Sequence, residues 1–211
     1  AAAPGAAFTD ASPLAPNSPY AASKAAAEHL ARSFAHTYGL PVATVNPTNN
    51  YGPRQMPEKL IPRMIVAAAR REPLPLYGDG RQERDWLHVD DCCRAIRAVA
   101  GRGVAGRRYL AGAGATRSNL DVVAQICDLV DEQLDDGGGR RALIAHVADR
   151  RGHDRRYAVD ASRLRDELAW QPQIAWADGL RDAVRWYLEN PAWVAAAERA
   201  LAQRSPGREG G

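Results

Sequence analysis

Apolar positions in this chain repeat at helical spacing in some segments and form short β-branched runs in the segments between them. The helical spacing predicts helices over residues 19–38, 58–71, 90–100, 119–134, 160–168 and 177–189. The apolar runs predict strands over residues 42–45, 74–77, 84–89, 107–111 and 143–147. Helices that alternate with short buried strands are typical of an α/β protein built on a parallel sheet.

The connecting segments add a candidate binding loop. Prolines make residues 10–19 an extended lead-in, in which Ser18 caps the first helix and Pro19 starts it. Residues 46–53 are predicted to form a loop at the carboxyl end of the first strand, the edge at which open α/β sheets bind ligands. Residues 135–139 are predicted to be a flexible loop, and residues 204–211 a disordered tail.

The composition is that of a globular protein, with 211 residues, 45% hydrophobic and 25% charged. The net charge of +3 is spread over segments that also carry acidic residues, which argues against nucleic-acid binding. The three cysteines cannot all pair, and no Cys/His grouping has the spacing of metal ligands. Since the sequence shows no signal peptide and no membrane-spanning apolar run, we expect a protein of the reducing cytoplasm.

Tyr20 and Lys24 are four residues apart in the first predicted helix, which places them on one helix face. A phenol works as an acid or base near neutral pH only when a nearby cation stabilises the phenolate. The pair therefore indicates proton transfer to or from a sugar or alcohol hydroxyl. The same spacing also arises by chance, and the pair would then be two solvent-facing side chains on an Ala-rich helix.

A dinucleotide-binding βαβ unit requires a Gly-rich turn between its first strand and the helix that follows. We identify no such turn in that context. Gly112 and Gly114 resemble part of one, but the third glycine is missing, and we interpret this segment as an ordinary turn.

Five motifs carry a resemblance to a known family, and they occur at residues 18–24 (Ser-Pro-Tyr-Ala-Ala-Ser-Lys), 49–53 (Asn-Asn-Tyr-Gly-Pro), 57–62 (Pro-Glu-Lys-Leu-Ile-Pro), 84–86 (Arg-Asp-Trp) and 152–157 (Gly-His-Asp-Arg-Arg-Tyr). From about Phe8 to Trp193 the chain resembles the dTDP-glucose 4,6-dehydratases, which are extended short-chain dehydrogenase/reductase proteins. The first two motifs are shared with many nucleotide-sugar epimerases and decarboxylases, whereas the motifs at 57–62 and 152–157 are more selective.

The resemblance implies an α/β fold that comprises the second part of a Rossmann-type parallel sheet and a small substrate-binding domain. Residues 1–53, with elements at about 84–100, would belong to the NAD-binding domain, and residues 54–195 mainly to the nucleotide-sugar-binding domain. In such enzymes the Gly-rich cofactor turn and a Thr-Asp-Glu active-site segment precede the region that begins here. We therefore expect a truncated chain that is inactive alone.

The family reaction oxidises the sugar at C4 with NAD, removes water across C5 and C6, and returns the hydride to C6. By resemblance, Tyr20 would be the base at the C4 hydroxyl, and Lys24 would hold the nicotinamide ribose. Asn50 would be a third contact of the cofactor. The Asp-Glu pair that handles elimination has no counterpart in these 211 residues, and no metal is implied.

The substrate side is nearly complete by the same resemblance. Asn49 would hydrogen-bond the substrate, and Arg84 and Arg150 would hold the diphosphate, since a guanidinium donates two parallel hydrogen bonds to phosphate oxygens. The other expected substrate contacts are Lys59, Leu60, Pro75, Leu76, Tyr77, Asp149, Arg151, Gly152 and His153. The structural alternatives are a solvated helix charge for Lys59 and a core strand for residues 75–77.

Two departures from the family pattern concern the nucleotide. Leu110 stands where the family has an Asn whose amide can hydrogen-bond the nucleotide. The identity of the sugar nucleotide and the affinity of the chain for it are therefore left open. Arg151 replaces a proline, which removes a fixed φ and adds a charge. The carboxyl-terminal aromatic residues, Trp170, Trp176, Trp186, Tyr187 and Trp193, are expected to be packing residues of the final helices.

Two other functions remain as alternatives. In the first alternative, the chain is a non-catalytic nucleotide-sugar-binding module, or a subunit whose site is completed by a separate amino-terminal half. In the second alternative, the chain comes from a related NDP-sugar epimerase or decarboxylase. The motif at 152–157 disfavours this alternative. For the leading hypothesis the expected partners are a dTDP-hexose and a second copy of the chain, because the family forms homodimers through the Tyr20 helix.

Overall fold

The computed structural model describes residues 7–149, 152 and 154–204. In this part of the chain the helices are α1 (Pro19–Tyr38), α2 (Leu60–Ala69), α3 (Val89–Arg102), α4 (Asn119–Leu134), α5 (Ser162–Leu168), α6 (Trp176–Glu189) and α7 (Pro191–Arg204). The strands are β1 (Thr44–Pro47), β2 (Asn49–Tyr51), β3 (Leu74–Tyr77), β4 (Glu83–His88), β5 (Arg108–Ala111), β6 (Thr116–Ser118), β7 (Ile144–Val147) and β8 (Arg156–Tyr157).

Most strand pairs are parallel, which confirms the predicted α/β class. The parallel pairs are β1 with β5, β2 with β4, β3 with β7 and β4 with β8. Strand β6 is antiparallel to the first half of β4, whose second half pairs with β2. Strand β4 therefore connects the candidate loop after β1 to the segments near residues 116 and 156.

The predicted bounds of α1, α4 and β3 coincide with the structure, and those of the other predicted elements are shifted by a few residues. Four of these elements are absent from the sequence prediction, namely β2, β6, β8 and α7. Strand β2 lies within residues 46–53, which are predicted to be a loop, and it forms by pairing with β4. Strands β6 and β8 are short and polar, and their conformation comes from pairing with β4. Helix α7 is rich in alanine, so its apolar positions mark no clear face.

Two hydrophobic clusters form the core. The first contains Leu74 and Leu76 of β3 together with buried side chains of α2, α4 and α6. The second joins Tyr109 of β5 and Leu87 of β4 to α3, α5 and Trp170. Strand β5 and helix α5 lie within residues 54–195, which are predicted to belong mainly to the second domain, and they pack with β1 and α3.

The loop at 135–139, which is predicted to be flexible from its composition, forms ionic contacts with its neighbours. The Arg140 side chain is fully buried and donates to Asp131, to Asp136 and to the carbonyl oxygen of Ala68. Arg71 donates to the same loop through Asp136 and Gly138. The loop is therefore fastened to the end of α2.

Residues 101–106 (Gly-Arg-Gly-Val-Ala-Gly) match the Gly-x-Gly-x-x-Gly pattern, which the sequence-based prediction does not include. This run covers the last turn of α3 and the turn that leads into β5. A helix therefore precedes the run and a strand follows it, the reverse of the order that would aim a helix N-terminus at a pyrophosphate. None of the helices in the described residues is long and apolar enough to cross a membrane.

Candidate functional site

Helix α1 presents Tyr20 and Lys24 on an exposed surface. The Ser18 hydroxyl accepts a hydrogen bond from the amide of Ala21 at 3.1 Å, and Gly39 ends the helix at φ 66°. Tyr20 is 75% exposed, and Lys24 is exposed one turn further along. The structure thus places both side chains on an open face.

Glu28 fixes the position of this helix on the sheet. Its carboxylate accepts from Asn46 of β1 at 2.8 Å and from Arg108 of β5 at 3.0 Å. The short connection from α1 to β1 makes the two elements antiparallel, so residues before Glu28 lie towards the carboxyl end of β1. Tyr20 is eight residues before Glu28, about 12 Å along the helix. Tyr20 and Lys24 are therefore directed to the edge of the sheet that carries the candidate loop.

Buried polar atoms without a hydrogen-bond partner lie in the candidate loop and directly after it. In the described residues the buried atoms Oγ1 of Thr48, Oδ1 of Asn50 and Oε1 of Gln55 have no hydrogen-bond partner. Burial raises the pKa of the neighbouring Cys92 thiol, to which the Asn50 side chain hydrogen-bonds. Because buried polar atoms are nearly always paired in proteins, these three atoms are candidates to hydrogen-bond a polar ligand.

Helix α6 contacts the segment after β2. The Tyr187 hydroxyl of α6 lies 2.6 Å from the carbonyl oxygen of Gln55 and 3.4 Å from that of Gly52. Burial raises the pKa of Tyr187, which keeps the hydroxyl protonated as a donor. Trp186, Tyr187 and Trp193 contact one another edge to face, which confirms that these aromatics pack.

The residues expected beside the sugar nucleotide lie on two elements. Lys59 caps α2 and forms an exposed ion pair with Glu58, and Leu60 packs against the first core cluster. In β3, Pro75 and Tyr77 are partly exposed on one face, whereas Leu76 is only 1% exposed on the other. The Leu76 side chain is part of the core, so only its main chain remains available to a ligand.

Arg84 and Asp149 organise the expected diphosphate region. Arg84 donates to the carbonyl oxygen of Asp154 at 2.7 Å, and the Asp149 carboxylate accepts from buried Gln82 at 2.9 Å. Gly152 has a positive φ of 71° and is exposed. The remaining expected contacts, Arg150, Arg151 and His153, lie outside the described residues.

Asp85 is a site residue that the sequence interpretation missed. It is fully buried in β4 and accepts from the amides of Ala113 and Gly114, so it fastens the loop that follows β5. Burial raises the pKa of its carboxyl, and these two amides oppose that rise. A Cβ on Gly112 would lie 2.3 Å from the carboxylate, which explains the glycine. The signal in the sequence is a carboxylate directly before the apolar residues Trp86 and Leu87 of the strand.

Two grooves lie near these residues. The larger, about 510 Å³, is lined by α2, β3, β7 and α7, and of the expected site residues only Pro75 lines it. The smaller, about 370 Å³, is lined by His88, Asp90, Asp178 and Asp182 among others. Burial lowers the pKa of His88, which favours its neutral form. In the part of the chain that the structure describes, no cluster of His, Cys, Asp and Glu has the arrangement of a metal site.

Comparison with known proteins gives consistent relatives. The family model described as GDP-mannose 4,6 dehydratase matches residues 2–183. A dTDP-glucose 4,6-dehydratase of Xanthomonas campestris pv. campestris is 55% identical over 189 residues, which are 89% of this chain and 54% of the relative. The dTDP-glucose 4,6-dehydratase of Salmonella typhimurium is 50% identical over 187 residues, 89% of this chain and 52% of the relative. The chain spans about half the length of the curated relatives it matches.

Solved structures share the fold. A dTDP-glucose 4,6-dehydratase from Bacillus anthracis in complex with NAD superposes with a TM-score of 0.86 at 43% identity, covering 93% of this chain and 60% of that one. The Streptomyces venezuelae enzyme of the same name, solved with NAD and the ligand TYD bound, gives the same TM-score and identity, covering 92% of this chain and 58% of that one.

Proposed function

The chain belongs to the GDP-mannose 4,6 dehydratase family, and we propose that it supplies the proton-transfer helix and the nucleotide-sugar side of an NAD-dependent dTDP-glucose 4,6-dehydratase. The single observation that carries the proposal is the anchoring of α1 by Glu28, which directs Tyr20 and Lys24 to the edge that holds Asn50. These contacts support an arrangement in which Tyr20 and Lys24 would lie at the same edge of the sheet as the unsatisfied atoms near Asn50.

The relatives favour dTDP-glucose over GDP-mannose as the substrate. The family model carries the GDP-mannose description, but the relatives at 50% and 55% identity are named for dTDP-glucose. In this proposal Pro75 and Tyr77, which are partly exposed, would offer an apolar and aromatic face to the base. Arg84 and the loop at Asp149 would bind the diphosphate. The side chain of Leu110 has no polar atom and offers the nucleotide no hydrogen bond. Leu110 is also buried, and it is paired in register with Asn46.

In the reaction, the Tyr20 phenolate takes the proton of the C4 hydroxyl, and Lys24 stabilises that phenolate on the same helix face. The chemistry that NAD would supply at this site is hydride acceptance for the oxidation at C4 and hydride donation for the reduction at C6. Tyr20, Lys24 and Asn50 would hold the cofactor. Water elimination across C5 and C6 requires an acid and a base that these residues do not supply.

The reaction therefore needs groups beyond those in the 211 residues, and we expect no turnover from this chain alone. Combined with a polypeptide that carries the amino-terminal half of the Xanthomonas campestris relative, it should convert dTDP-glucose to the 4-keto-6-deoxy sugar when NAD is present. Tyr20→Phe should lower that rate by about 100-fold or more, because general acid-base catalysis contributes that much.

Tyr38→Phe is the matched control, since Tyr38 is an exposed tyrosine at the other end of the same helix. Conversion by the 211-residue chain alone would contradict the proposal. Equal rates for Tyr20→Phe and Tyr38→Phe would contradict the role of Tyr20. Binding of dTDP by a chain that stays inactive in every combination would instead support a nucleotide-sugar-binding module.

A further inference from the structure

The segment between β2 and α2 has a backbone that its neighbours must hold in place. Gly52 has a φ of 142°, and a Cβ there would lie 2.7 Å from Val89. Arg54 has a φ of 62°, which is unusual for a residue with a side chain. Such conformations cost free energy and persist only where surrounding contacts fix them.

The contacts that fix this segment come from α6. The hydroxyl of Tyr187, a residue 3% exposed, reaches the carbonyl oxygens of Gly52 and Gln55, one on either side of Arg54. The Arg54 guanidinium lies 5.6 Å from the ring centre of Trp186, the preceding residue of the helix. One turn of α6 therefore holds both the backbone and the side chain of the strained segment.

The same segment connects two groups of expected ligand contacts. On one side, the Gln55 side chain donates to the carbonyl oxygen of Asn50 at 2.9 Å. On the other side, the amide of Lys59 donates to the carbonyl oxygen of Met56 at 3.1 Å, where α2 begins. The position held by Tyr187 thus sets the spacing between Asn50 and the start of α2.

We propose that Tyr187 is a positioning residue for nucleotide-sugar binding. Its side chain is buried and its hydroxyl contacts backbone carbonyl oxygens. It acts by fixing the backbone of residues 52–55, which places Asn49 and Asn50 relative to Lys59 and Leu60. The inference rests on the proposed function, since it assigns the ligand of these residues as a sugar nucleotide. The aromatic residue thereby has a role in binding in addition to its role in packing.

The experiment compares Tyr187→Phe with Tyr109→Phe in the 211-residue chain. Tyr109 is also a buried tyrosine whose hydroxyl is hydrogen-bonded, to Glu167 and to the amide of Val104, but it lies in the second core cluster. Each variant loses one buried hydroxyl and keeps the ring. A general loss of stability should therefore appear in both variants, whereas displacement of the loop should appear only in Tyr187→Phe.

Two measurements are made on each variant, amide hydrogen exchange over residues 50–59 and the affinity for dTDP. We expect Tyr187→Phe to speed exchange in this segment and to weaken dTDP binding by about three- to tenfold, which corresponds to the loss of one hydrogen bond. Tyr109→Phe should leave both unchanged. Equal effects of the two variants, or no effect of Tyr187→Phe on exchange, would overturn the inference. A parent chain that binds no dTDP would refute the proposed ligand, while the exchange comparison still decides whether Tyr187 fixes the loop.

Discussion

Helices α1 and α2 both carry expected site residues, but they are attached to the protein in different ways. Helix α1 has 20 residues and none of them is buried, whereas six of the 10 residues of α2 are buried, most of them in the first core cluster. Helix α1 is instead linked to the sheet by the polar contacts of Glu28. The proposed nucleotide-sugar side thus rests on a core that this chain supplies, while the proposed proton-transfer side is an exposed surface.

Core substitutions should show the largest difference between the two helices. Ile65 of α2 is fully buried, and Leu30 of α1 is 59% exposed. We expect Ile65→Ala to lower the free energy of unfolding by about 2–5 kcal/mol, because it removes buried methyl groups and leaves a cavity. Leu30→Ala should change it by less than about 0.5 kcal/mol. Urea unfolding measures both, and similar losses would refute the comparison.

A smaller effect is expected from the contacts that fasten α1. Glu28→Ala removes the partner of Asn46 and of Arg108. A typical hydrogen bond contributes a net of about 0.5–1.5 kcal/mol, so we expect a total loss of about 1–3 kcal/mol. We expect faster hydrogen exchange in α1 with unchanged protection of α2. The control is Glu132→Ala, which removes an exposed ion pair with Arg181 and should cost at most about 1 kcal/mol. Loss of protection in α2 would show that α1 supports the core.

The smallest effect is the change in stability at low pH that comes from Asp136, in the loop at 135–139. Hydrogen bonds from Arg140 lower the pKa of Asp136 to about 2, below the usual value of about 3.9. The carboxylate therefore contributes stability that is present above about pH 4 and is lost as the pH falls towards 2. We expect Asp136→Asn to flatten this part of the unfolding profile, measured by denaturant titration at each pH. An unchanged slope would exclude Asp136 as the titrating group.

The sequence predicts elements whose signals are local. Ser18 and Pro19 mark the start of α1 and Gly39 marks its end, and the structure places both ends there. Strand β8 has two residues and forms by pairing with β4, so a local pattern does not reveal it.

The same distinction applies to the candidate site. Motifs identify Tyr20, Lys24 and Arg84 as residues, but the burial of the Leu76 side chain and the contact of Tyr187 with Gln55 depend on packing between distant segments. The contact between Tyr187 and Gln55 joins residues 132 positions apart in the chain. Such contacts follow from the tertiary structure and leave no local pattern in the sequence.

The most direct test of the account is calorimetric titration of the 211-residue chain with dTDP, in the absence and presence of NAD. If the nucleotide-sugar side is complete and rests on its own core, dTDP should bind at one site with an affinity that neither NAD nor Tyr20→Phe changes. Tyr77→Ala should weaken that binding, because it removes the aromatic face at the end of β3. A chain whose core is protected from hydrogen exchange but which binds dTDP only with NAD, or not at all, would contradict the account.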